Sequence, residues 1–154
     1  MRLTVRAAGV VATAMMAGSV LSCGSPSPAP QAEPTVVRKD KEPISKRIKN
    51  IGENYVVRWV SGSYTNERIP GPNSYWLDAS ITLRDDEVAS GLRAAAGNPV
   101  GHETPDVPAE INRSGDPGIT SAGLNAFVAV EPGTVRAYLY PERGVLVVKY
   151  LGGN

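Results

Sequence analysis

Apolar residues recur along this chain with two different periods, and the switches between them mark its elements. From Asn54 to Tyr64, NYVVRWVSGSY is rich in valine and aromatics, the composition of a strand. From Tyr75 to Leu83 the alternation is cleaner. Leu77, Ala79, Ile81 and Leu83 fall on one face, with Trp76, Asp78, Ser80 and Thr82 on the other. The intervening TNERIPGPNS is full of turn formers, so the two strands are expected to form a hairpin with a long exposed loop.

The strongest helical signal follows. Asp85 is placed to cap, Asp86 and Glu87 suit the positive end of the helix dipole, and Val88, Leu92 and Ala95 make an apolar stripe that Gly97 closes. Asn98 to Gly118 carries four prolines and reads as a long irregular stretch, a type that is often functional or mobile. Three strands are then expected at Ala126–Glu131, Thr134–Tyr140 and Val145–Leu151, turning at Pro132-Gly133 and Pro141–Gly144. The last is apolar on both faces and should be central. The pattern predicts an α+β domain, a mostly antiparallel sheet of about five strands with one or two helices.

The first part of the chain has neither period. Arg2 and Arg6 precede an uncharged stretch from Ala7 to Leu21. It is too short for a spanning helix, which needs roughly 20 apolar residues, and matches a secretory h-region. Gly24 to Thr35, GSPSPAPQAEPT, lacks apolar surface to bury and should be an extended, disordered tether. At about 3.1 Å per residue it would reach up to roughly 35–40 Å. Arg38 to Lys49 forms a basic collar with six basic and two acidic residues. Ile44, Ile48 and Ile51 stand in it at helical spacing, with Gly52 as a candidate C-terminal cap. The expected organisation is a signal peptide over 1–22, tether and collar over 23–43, and one small domain over 44–154.

Charge and cysteine content sharpen this picture. The formal net charge is only +1, yet the collar carries about +4 and the chain from Asn50 onward about −4. The collar therefore suits either a solvated linker or contact with anionic lipid, while the acidic domain disfavours nucleic acid. A single cysteine, Cys23, excludes an internal disulfide. It ends the run Val20-Leu21-Ser22-Cys23, which resembles the bacterial lipobox, with Leu21 one place nearer the cysteine than is commonest. The resemblance implies cleavage after Ser22, diacylglycerol on the Cys23 sulfur, and a lipid anchor on the extracytoplasmic face of the cell membrane. More loosely, the tether and the WLDASITLRDDEVASGLRAAAG passage resemble small actinobacterial lipoproteins of unknown function. That likeness brings no activity with it.

Candidate chemistry is sparse. His102 is the sole histidine and, with Asp106 and the nearby Glu103 and Glu110, offers a weak candidate site for a cation or a general base. Four nitrogen or sulfur ligands for structural zinc are not available, and there is no nucleophile elbow, P-loop or GxGxxG run. No cofactor or metal is expected. Tyr55, Trp59, Tyr64, Tyr75 and Trp76 put five of the nine aromatics in one hairpin, as a candidate binding surface or as core. The expectation is a lipid-anchored binding or accessory protein of the cell envelope, its partners the membrane and an envelope protein or glycan. The rivals are a small envelope hydrolase or metal-dependent enzyme using the His102 loop, and an immunity-type protein docking through a sheet edge.

Overall fold

The computed structural model describes residues 36–64, 74–98 and 100–153. The expected signal peptide, Cys23 and the tether lie outside the described residues, as does the 65–73 connection. None of the described helices is long and apolar enough to cross a membrane.

The chain runs α1 (Glu42–Ser45), β1 (Tyr55–Tyr64), β2 (Ser74–Leu83), α2 (Asp86–Ala96), β3 (Gly101–Glu103), β4 (Gly118–Thr120), α3 (Ala122–Val128), β5 (Thr134–Tyr140) and β6 (Val145–Gly153). Its six strands form one antiparallel sheet in the order β1-β2-β6-β5-β4-β3. The fold is α+β. The hairpin ladder is unbroken from Tyr55 opposite Leu83 to Tyr64 opposite Ser74. Strand β6 sits between β2 and β5, and Leu146, Val147 and Val148 are all buried, which is why both of its faces are apolar.

Helix α2 begins and ends where its sequence signals place it. The Asp85 carboxylate accepts from the Glu87 and Val88 amides at 2.9 and 3.4 Å, and Gly97 leaves the helix at φ +66°. Leu92 and Ala96 are its buried residues.

The expected strand at Ala126–Glu131 is not formed; Ala126, Phe127 and Val128 are the last turn of α3 instead. Ser121 Oγ caps that helix by accepting from the Leu124 amide at 3.0 Å. Leu124 and Val128, four apart, are fully buried on one face. The alternation in AFVAV imitates a strand, but the cap and the i, i+4 pair act together and win. The Asn98–Gly118 stretch also holds more structure than expected, since β3 pairs with β4.

The collar is part of the packed unit. Ile44, Ile48 and Ile51 are buried, although α1 spans only four residues. Beyond it the chain turns through positive φ at Asn50 and Gly52, and Ile48 makes a bridge to Ala129. Arg38, expected in the collar ahead of the domain, pairs with Trp59 on the outer edge of β1.

Strand alternation gives the sheet two faces. The three helices pack on one, over Val57, Trp59, Leu77, Ile81, Leu146 and Val148. On the other a smaller cluster of Val60, Ile111, Tyr138, Tyr140 and Val147 lies beneath the 104–117 segment. That segment is fastened by Tyr140, whose hydroxyl donates to the Asp116 carbonyl at 2.8 Å while Asn112 Nδ2 donates to it at 3.3 Å. Burial pushes the Tyr140 phenol up from its ordinary pKa.

Candidate functional site

The aromatic hairpin is not one surface, because the strand pleat sends its members to opposite faces. Tyr55 and Trp59 lie in the helix-side core, and Tyr75 packs against it. There Tyr75 and Tyr150 bring their hydroxyls within 3.3 Å, and burial together with that contact pushes Tyr150 up to about 12. Trp76 points to the other face. Tyr64 pairs through its backbone with Ser74, and its side chain lies outside the described residues.

Three basic residues of the collar cover buried Tyr55 and Trp59 and half-buried Tyr75. Arg38 lies 5.0 Å from the centre of Trp59, Lys41 4.7 Å from Tyr55 and Arg47 5.1 Å from Tyr75. The collar and the three helix-side aromatics of the hairpin are thus two halves of one seam.

An open groove of about 990 Å³ lies mainly on the opposite face of the sheet and reaches the β5 edge at Asn125 and Val135. The 104–117 segment covers only part of that face, and the rows beyond it remain accessible. The register fixes what stands in them. Asp78, Lys149 and Arg136 are direct neighbours across β2, β6 and β5; one row outward come Trp76, Leu151 and Thr134. The Trp76 ring lies against Gly62, directly opposite it on β1, where a Cβ would come within 2.7 Å of the indole. Only glycine there lets the ring lie so close to the strand. Beside it Leu151 is 47% exposed, a large apolar side chain left at the lip.

The floor is charged. Asp78 is only 7% exposed, and among the described residues no hydrogen bond reaches its carboxylate. Burial raises its pKa to about 6, with Lys149 pulling it down and Asp106 pushing it further up. Lys149 Nζ donates to the Asp106 carbonyl and stands 3.7 Å from that residue's carboxylate. Arg136 is ion-paired with Glu103, which holds the guanidinium above its ordinary pKa. Three carboxylates and two cations therefore share the groove.

His102 does not join them. It is opposite Ile119, which packs on the helix-side core, so the pleat turns His102 away from the face that Glu103 and Asp106 share. No cluster of three His, Cys, Asp or Glu side chains suited to a metal occurs among the described residues. Trp76, Asp106 and Glu103 are the sequence-derived candidates that the fold brings to one site. Asp78, Arg136, Lys149 and Leu151 went unselected because each is an ordinary alternating residue within its own strand.

No protein-family model matches the chain, and no curated protein or solved structure matches it either.

Proposed function

We propose that this chain is a lipid-anchored, extracytoplasmic binding or accessory protein of the cell envelope. The observation that carries the reading is the placement of its sole cysteine, Cys23, at the end of VLSC after a basic n-region and an uncharged h-region. Two or three acyl chains at about 0.8 kcal/mol per buried CH₂ hold a protein stably at a membrane. The partners in this reading are the membrane, through Cys23, and an envelope protein or glycan. An acidic domain at this address does not suit nucleic acid.

What the domain adds to the reading is an open, mixed-charge groove where a partner can sit. The test is a Cys23→Ala variant expressed beside the wild type, with both fractionated. Membrane-bound wild type and a variant that is shed or left as precursor support the proposal. Identical soluble behaviour of the two would end it.

A further inference from the structure

We infer that the groove across β2, β6 and β5 binds an uncharged sugar chain, with a ring stacked on the Trp76–Leu151 lip and its hydroxyls bonded to the Asp78–Lys149–Arg136 row. This inference rests on the envelope reading for its biological setting. Its chemical grounds are independent of the anchor.

Charge narrows the occupant first. Asp78, Glu103 and Asp106 stand against Arg136 and Lys149, so the groove has no strong excess of either sign. Both cations are already engaged, Arg136 by Glu103 and Lys149 by Asp106. A polyanion would face three carboxylates, and a polycation would have to displace two fixed cations. Neither gains the electrostatic complementarity that charged partners use.

The order of the rows narrows it further. Trp76 and Leu151 are cross-strand neighbours and form an apolar strip, with Leu151 47% exposed. Directly beside the strip runs the polar row, in which an acceptor-only carboxylate stands next to donor-only ammonium and guanidinium groups. A pyranose ring has the matching anatomy: a C–H face for an aromatic and an equatorial rim of hydroxyls. Each hydroxyl donates and accepts, so one ring can satisfy Asp78 and Arg136 together. Asp78 is nearly buried and, among the described residues, not hydrogen-bonded, which leaves its carboxylate available to a ligand hydroxyl.

The site's form agrees with a chain more than with a small enclosed metabolite. A groove of about 990 Å³ lies at the upper end of the usual range for ligand sites, roughly 300–1,000 Å³, and is open to solvent. An extended peptide would take its main affinity from pairing with a free strand edge. This groove lies mainly on a sheet face: β2 and β6 are paired on both sides, and β5, joined to β4 only through Ile119 and Leu139, has its Ala137 amide already taken by Asn125 Oδ1 at 2.7 Å.

The test is calorimetric titration of the full processed protein, extracted in detergent, with tri-N-acetylchitotriose and cellotriose. Heptalysine and a sulfated trisaccharide serve as charged counter-probes. Binding of at least one neutral trisaccharide is expected, weakened at least tenfold by Trp76→Ala and by Arg136→Gln. Arg136 is exposed, so its variant tests the row even if the Trp76 variant fails to fold. No heat from either neutral sugar up to ~10 mM, a ligand affinity weaker than about −2.7 kcal/mol, overturns the inference. Tighter binding of a charged counter-probe, or sugar binding that Arg136→Gln leaves intact, overturns it as well. The outcome is separable from the anchor: unlipidated protein that binds sugar refutes only the anchor, and lipidated protein blind to sugar refutes only the groove.

Discussion

Arg38 and Trp59 are joined three ways. The Arg38 amide donates to the Trp59 carbonyl at 2.8 Å, the Trp59 amide donates back at 3.0 Å, and the Arg38 guanidinium stacks on the indole. The indole Nε1 then donates to the Asp40 carbonyl at 3.0 Å. A segment that sequence composition marks as linker is thereby held on the edge strand of the sheet, where it occupies backbone groups otherwise open to a foreign strand.

Replacing Trp59 by alanine should cost about 3–5 kcal/mol, the usual loss for a buried aromatic. It should also release the 38–41 segment. Arg38→Ala should cost only about 0.5–1 kcal/mol, since its backbone bonds survive and the exposed stacking contact is weak. Urea unfolding gives the energies, and tryptic cleavage at Arg38–Lys41 reports the release. Equal effects of the two variants would contradict the seam.

Asp78 predicts a pH dependence whose sign is opposite to that of most carboxylates. Its folded pKa of about 6 lies above the ordinary 3.8, so the folded protein holds the proton more tightly than the unfolded chain. Its contribution is complete below pH 4 and is lost as pH rises through 6. Asp78→Asn should therefore match the wild type near pH 4 and exceed it above pH 7, by on the order of 2 kcal/mol. Denaturant midpoints at the two pH values measure this, and a variant less stable at high pH would contradict it.

The cap of α3 is equally exposed to test. Ser121→Ala should cost about 1 kcal/mol, the value of a lost N-cap hydrogen bond. Were residues 126–131 a strand, Ser121 would have no cap to give and the change would be close to neutral. Thermal unfolding of the single variant decides between them.

Tyr140→Phe should loosen the 104–117 segment without unfolding the sheet. Two hydrogen bonds are lost while the ring stays packed, a cost of about 1–2 kcal/mol. Amide exchange is expected to quicken between residues 104 and 117 and to stay slow in β6. Uniform protection across that segment in the variant would show that other contacts hold it.

Much of the fold was legible because local signals agreed with the tertiary answer. Alternation in Leu77–Leu83, the Asp85 cap with Gly97, and the double-sided apolarity of Val145–Leu151 all correspond to observed elements. The 126–131 segment failed because Ala126, Val128 and Val130 mimic period two, while Leu124 and Val128 give period four only once Ser121 is seen as a cap. Strands β3 and β4, at three residues each, are too short to carry a pattern.

The groove was far less legible. Trp76 and Asp78 were readable as one face of β2, but nothing local shows that Leu151 and Lys149 stand opposite them. Register between strands far apart in sequence is a tertiary property, set by which faces must be buried. The same limit made the aromatic hairpin look like a surface. Five ring-bearing residues close in sequence say nothing of the pleat that divides Tyr55 and Trp59 from Trp76.

The central claim is the lipid anchor, and the most direct measurement is the intact mass of the protein extracted from membranes. The account predicts a chain beginning at Cys23, lacking the first 22 residues and heavier by diacylglycerol, with or without a further acyl group on the new amino terminus. An unmodified mass, or a chain cleaved at another residue and recovered in the soluble fraction, would contradict it.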